Sequence, residues 1–214
     1  MRIVIDLQGA QTKSRFRGVG RYSLSMAKAI ITNSKNHEVI IVLNSLFPDI
    51  IESIRAHFDK LLPQENIQVW YAPGPVLELN PDNTQRREIA ELTREAFIAS
   101  LQPDIIYITS LFEGFGDDAV TSIGLFDEHT PVCVTSYDLI PLQNPELYLE
   151  PNDTYKKYYM KKLKYLSKAS LLFAISESSL QEVIHDIKFP KERITNTSGA
   201  VESSFKQCTL TEQE

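Results

Sequence analysis

The sequence predicts an α/β protein with a doubly wound, parallel, Rossmann-like sheet, and two observations carry that prediction. Six short, near-continuous apolar runs recur along the 214 residues. Longer segments of helical period lie between them. Near-continuous apolar runs are what strands buried on both faces require, and strands alternating with helices imply βαβ crossovers.

The six runs are "RIVIDL" (2–7), "EVIIVL" (38–43), "IQVWYA" (67–72), "DIIYIT" (104–109), "PVCVTS" (131–136) and "SLLFAI" (170–175). After the first comes a polar loop and a helical segment over 20–32, with Leu24, Ala27 and Ile31 on one face. Residues 84–101 repeat the pattern with Ile89, Leu92, Ala96 and Leu101. Pro73 and Pro75 in "APGPVLELNP" mark a loop after the third run, and "PLQNPELYLEPND" marks another after the fifth. Loops that follow strand ends are where α/β proteins place their ligands. No internal repeat or low-complexity segment interrupts the order.

The composition is that of an ordinary globular protein, with 43% hydrophobic and 23% charged residues. A net charge of −6 argues against a surface built for nucleic acid. Two cysteines, Cys133 and Cys208, make no disulfide framework and point to a reducing, cytoplasmic setting. "MRIVIDLQGA" is too short for a signal peptide and carries Asp6, and no run is long enough to cross a bilayer. His37, His57, His129 and His185 are scattered without ligand spacing, so neither a metal nor a cofactor is expected.

The stretch "FRGVGRYSLSMAKAI" (16–30) raises the first functional question. Gly18, Val19 and Gly20 sit between Arg17 and Arg21 where the loop hands over to a helix. A dinucleotide fingerprint needs G-x-G-x-x-G/A tight against the first strand and an acid after the second. Here ten residues separate Leu7 from Gly18, position 23 is Ser, and the second run continues into "VLNSLF". Nicotinamide binding is therefore disfavoured. Two readings stand side by side: backbone N–H groups and arginines holding a phosphate, or a tight turn that needs glycine.

Three other loops follow strand ends. "SLFEGFGDD" (110–118) offers Glu113 and Gly114 after the fourth run. "TSYDLIPL" (135–142) places Tyr137 and Asp138 after the fifth, where they face a substrate or where Asp138 caps the next turn. "AISESSLQEVI" (174–184) reads as a capping box on Ser176 or Ser178, at a helix start that can also face a ligand. The basic stretch "YKKYYMKKLKYLSK" (155–168) puts Lys157, Lys161, Lys164 and Lys168 on one stripe and Tyr159, Leu163 and Leu166 on another. It reads as an amphipathic helix with a solvated charged face; the alternative is weak attraction to anionic headgroups at a membrane surface.

"RGVGRY", "YDLIPL" and "LSKASLLFAISESSLQEVI", in that order after a first strand, resemble the N-terminal half of GT-B glycosyltransferases of family 4. "RITNTSGAVESSF" resembles the end of such a domain, with Gly199 and Phe205. The resemblance implies a retaining enzyme that moves a sugar from a nucleotide-sugar donor to a glycan or lipid-linked acceptor in polysaccharide synthesis. It implies an acceptor-side domain over residues 1–206, the start of a linker over 207–214, and a donor-binding domain absent from this chain. The Gly18–Gly20 loop, with Arg17 and Arg21, then approaches donor phosphates, and Glu113, Gly114, Ser176 and Ser178 line the donor or acceptor side. The family often has histidine where this chain has Tyr137, and tyrosine is a poor proton carrier near neutral pH. Tyr137 and Asp138 are the candidates for a catalytic role. A cytoplasmic enzyme, peripheral at the inner membrane face where its acceptor is lipid-linked, is the expectation. A non-catalytic carbohydrate- or nucleotide-binding module on the same fold is the alternative.

Overall fold

All six apolar runs become strands of one sheet in the computed structural model, whose description covers residues 1–199. They are β1 (Arg2–Asp6), β2 (Glu38–Asn44), β3 (Ile67–Trp70), β4 (Ile105–Ile108), β5 (Val132–Ser136) and β6 (Leu171–Ala174). A seventh strand, β7 (Ile194–Asn196), extends the edge. The order is β3-β2-β1-β4-β5-β6-β7 and every pairing is parallel. The doubly wound, Rossmann-like α/β class is therefore the observed one. β7 went unread because a three-residue strand with one apolar side chain, Ile194, carries no periodic signal.

Helices cover both faces. α1 (Gly18–Asn33) and α2 (Pro48–Phe58) bury Ala27, Ile31, Ile54 and Phe58 against Ile5, Ile41 and Leu43. α3 (Thr84–Ser100) lies on the opposite face. There it buries Ala90 and Ile98 against Val4, Val42 and Ile108. The loop after β5 contains two single-turn helices, α4 (Ile140–Gln143) and α5 (Pro145–Tyr148), each started by a proline in its first positions. α6 (Asp153–Lys168) and α7 (Glu177–Asp186) complete the second layer. α2 carries its own signal in the sequence: Pro48 at its start, then Ile50, Ile54 and Phe58 at helical spacing.

Parallel pairing gathers the carboxyl ends of all strands on one edge. β1 pairs with β2 on one side and β4 on the other, so the winding direction reverses at β1. Ligands in open α/β sheets bind outside the carboxyl ends at such a reversal. The loops after β1 and β4 flank it. The expected domain boundary at 206, the 207–214 linker, Phe205 and Cys208 lie outside the described residues.

Candidate functional site

The loop after β1 is built from two 3-10 turns, Gln8–Ala10 and Lys13–Phe16. Thr12 starts the second turn, its side chain accepting from the Ser14 N–H. Residues 12–21 include Lys13, Arg15, Arg17 and Arg21 and no acid. Arg15 donates to the Gln11 carbonyl at 2.9 Å and its guanidinium stacks on Phe16. Arg17 and Arg21 are exposed, and neither pairs with a carboxylate among the described residues.

The two glycines have different jobs. A Cβ on Gly20 would stand 2.3 Å from Arg15 Cα and 2.6 Å from the Ser14 carbonyl oxygen. Only glycine lets the first turn of α1 rest on that backbone. A Cβ on exposed Gly18 would meet nothing within 4 Å. The α1 start has no side-chain cap and no acid in its first turn. α7 is the contrast: Ser176 accepts from Ser179 N–H, and Glu177 follows in the first turn. Of the two serines proposed as caps, Ser176 caps; exposed Ser178 bonds to Glu182 at 3.1 Å.

Glu113 is turned inward, beneath the β1 loop. It is 7% exposed and accepts from Thr12 Oγ1 at 3.0 Å, Ser14 Oγ at 3.2 Å and Ser110 Oγ at 2.9 Å. Burial raises its pKa above the ordinary carboxylate value, opposed by the Ser110 and Ser14 bonds. Gly114 is a buried corner at φ +97°, where a Cβ would strike the Ala119 carbonyl. Its own carbonyl accepts from Glu78 N–H and from Arg87.

Tyr137 reaches across to the same loop. Its hydroxyl donates to the Thr109 carbonyl at 3.2 Å and, more distantly, to the Val19 carbonyl at 3.4 Å. Burial holds that hydroxyl protonated far above neutral pH, so it serves as a hydrogen-bond donor. Tyr22 meets the Tyr137 ring edge-on. Asp138 is exposed and accepts the Ile140 N–H at 3.3 Å, the turn cap foreseen from sequence. The structure thus brings Gly20, Val19, Glu113 and Tyr137 into one linked group. Asp138 and Ser176 share the carboxyl edge through β5 and β6, without bonds to that group.

Several polar residues escaped the sequence reading. Asp6 and Arg94 form a buried pair at the end of β1. Gln8 donates to Asp6 and accepts from Asn44, tying β1 to β2. Within the basic stretch Lys162 is fully buried, donating to the Thr121 carbonyl and hydroxyl at 2.5 Å each. Lys157, Lys164 and Lys168 are exposed, while Lys161 pairs with Glu91 at 2.9 Å. Charged side chains in helical register read as surface, and only their packing in the fold shows that Arg94 and Lys162 are buried.

None of the candidate rim residues lines the small polar cleft between Glu78, Arg87, Glu88 and Lys161. The uncapped start of α1 and the exposed Arg17 and Arg21 beside it offer N–H donors and positive charge of the kind that an anion takes.

The fold is shared with solved structures of low sequence similarity. The UDP-GlcNAc 2-epimerase of Neisseria meningitidis, solved bound to UDP-GlcNAc, superposes with a TM-score of 0.57 at 12% identity. The match takes in 92% of this chain and 46% of that one. A putative UDP-N-acetylglucosamine 2-epimerase from Listeria monocytogenes gives 0.56, also at 12%, over 90% of this chain and 44% of that one. In sequence the chain is 37% identical over 207 residues to the serotype-specific mannosyltransferase WbdA of Escherichia coli. That alignment covers 96% of this chain and 24% of WbdA, so the chain spans about a quarter of that relative's length. No protein-family model matches the chain.

Proposed function

We propose that this chain is the acceptor-side domain of a retaining GT-B glycosyltransferase of family 4. It works with a donor-binding domain in a longer protein to move a sugar from a nucleotide-sugar to a glycan or lipid-linked acceptor. The observation that carries the reading is 37% identity over 96% of the chain to a protein named a mannosyltransferase. That likeness makes mannose the sugar of choice and polysaccharide synthesis the setting. The parallel sheet supports it, because it gathers the glycine loop, Glu113, Tyr137 and Ser176 on the one carboxyl edge that a facing domain would meet.

In this reading the α1 start and Arg17, Gly18 and Arg21 face the donor phosphates. Backbone N–H groups and guanidinium groups neutralise charge that builds on the departing diphosphate. Tyr137 and Glu113 hold the loop, and exposed Asp138, which caps the next turn, lies on the acceptor side. Lys157, Lys164 and Lys168 give a lipid-linked acceptor's membrane a weakly attractive surface.

The 214-residue chain, incubated with nucleotide-activated mannose and a mannan acceptor, is expected to transfer no sugar. Calorimetric titration with the nucleotide-sugar is expected to show only weak, far from stoichiometric binding, through its diphosphate at the α1 start. Positioning two substrates together supplies much of an enzyme's rate, and half a cleft cannot do that. Turnover or stoichiometric donor binding by this chain alone contradicts the half-enzyme reading and favours a self-contained enzyme or binding module.

A further inference from the structure

We infer that Glu113 is a positioning residue: from beneath, it sets the conformation of the loop whose outer face presents Arg17, Gly18 and Arg21. The role rests on the reading of that face as the anion-facing one.

Glu113 has an unusual set of partners for a buried carboxylate. Three hydroxyls from two loops bond to it, and no lysine or arginine makes an ion pair with it among the described residues. An ionised carboxylate only accepts, so each of those hydroxyls must aim its proton at Glu113. For Thr12 this has a consequence. With its proton committed to Glu113 at 3.0 Å, its oxygen is turned to accept the Ser14 N–H at 3.1 Å. The carboxylate thereby fixes the cap of the Lys13–Phe16 turn. Ser14, inside that turn, bonds to the same carboxylate oxygen.

Gly20 transmits the placement. The first turn of α1 rests on the backbone of Ser14 and Arg15, with no room for one further carbon at Gly20. A shift of the capped turn must therefore shift the start of α1. Tyr137, which bonds to the Val19 carbonyl, holds the other side. These bonds tie the β1 loop to the β4 loop and to Tyr137 on its inner side, and Arg17, Gly18 and Arg21 lie exposed on the other. A buried carboxylate without a cation is costly to the fold, and such departures concentrate at functional sites.

The test uses protein labelled with ¹⁵N-glycine, whose eight glycines give a sparse spectrum. The variants are Glu113→Gln, Thr12→Val, the two combined, and Thr12→Ser, and inorganic pyrophosphate is the probe. Glu113→Gln and Thr12→Val are each expected to move the Gly18 and Gly20 amide resonances. Each should also weaken pyrophosphate binding about fivefold to tenfold, the scale of one ordinary hydrogen bond. The double variant should be no worse than either single one, because both break the same relay. Thr12→Ser, which keeps the hydroxyl, should restore the wild-type spectrum and affinity. Unmoved Gly18 and Gly20 resonances in both single variants, or additive losses in the double, overturn the inference. Should Glu113→Gln fail to fold, the Thr12 pair decides alone. A wild-type spectrum indifferent to pyrophosphate sinks the anion-facing reading instead, and the variants' glycine shifts still decide the positioning role.

Discussion

Arg94 on α3 meets Asp6 at the last residue of β1 with Nη2 and Nε at 2.5 Å and 2.6 Å from one carboxylate oxygen, and both side chains are 1% exposed. Gln8 donates to both Asp6 oxygens, so the charge is satisfied from two sides. This pair fixes where β1 stops and the loop that leads to α1 begins. Removing one partner leaves an uncompensated buried charge. Arg94→Met alone should therefore cost about 3–5 kcal/mol. Asp6→Leu combined with Arg94→Met should recover much of that loss. Urea denaturation of the single and double variants checks it; equal losses in both would assign the cost to packing.

The glycines separate by substitution. Gly20→Ala forces a carbon against the Arg15 and Ser14 backbone and should cost on the order of 1–3 kcal/mol. Gly18→Ala enters open space and should change stability by less than about 0.5 kcal/mol. On the ligand-facing reading Gly18→Ala nonetheless weakens pyrophosphate binding, because the added methyl stands where the anion approaches the helix start. Thermal unfolding and titration of both variants check this; unaltered affinity in Gly18→Ala returns Gly18 to a simple loop role.

Ser176 is a helix cap first. Ser176→Ala should destabilise the domain by about 1 kcal/mol, and Ser178→Ala by less than about 0.5 kcal/mol. The check is chemical denaturation of the two variants. A larger loss in Ser178→Ala would contradict the assignment of the cap.

Lys162 gives the protein a pH signature. Its burial depresses its pKa well below the ordinary lysine value of 10.5, with Arg87 and Lys161 acting in the same direction and Glu91 and Glu78 against it. Between the depressed value and 10.5 the unfolded chain binds more protons than the folded one, so stability rises with pH across that window. The rise is complete above the ordinary lysine value. Denaturation midpoints from neutral pH to pH ~10 should climb in the wild type and flatten in Lys162→Met. A slope unaffected by that substitution would place the proton uptake elsewhere.

The sheet was legible because buried parallel strands leave unbroken apolar runs, and six of the seven strands announce themselves that way. β7 is too short to do so. The rim was legible as a set of loops after strand ends, since parallel pairing alone gathers Gly18, Glu113, Tyr137 and Ser176 on one edge. The division of labour within it was not. That Gly20 serves packing and Gly18 meets open space depends on how closely the Ser14–Arg15 backbone approaches, which no spacing encodes. Glu113 was legible only as an acid in the loop after the fourth run, and its burial beside Thr12 and Ser14 joins residues about a hundred apart in sequence. Lys162 lay hidden in a run of lysines because helical register alone does not say which neighbour α3 covers.

Steady-state sugar transfer by the full-length protein and its Arg21→Ala variant tests the proposed function most directly. Nucleotide-activated mannose serves as donor and a mannan oligosaccharide as acceptor. Arg21 lies on the exposed face of α1 without a carboxylate partner among the described residues, so its loss should leave the fold intact. The wild type should transfer sugar, and Arg21→Ala should lower kcat/KM for the donor by about tenfold to a hundredfold. That corresponds to about 1.5–3 kcal/mol for one charge-assisted bond to phosphate. Absence of transfer by the wild type, or an unchanged kcat/KM in the variant, contradicts a donor-facing rim built on the glycine loop.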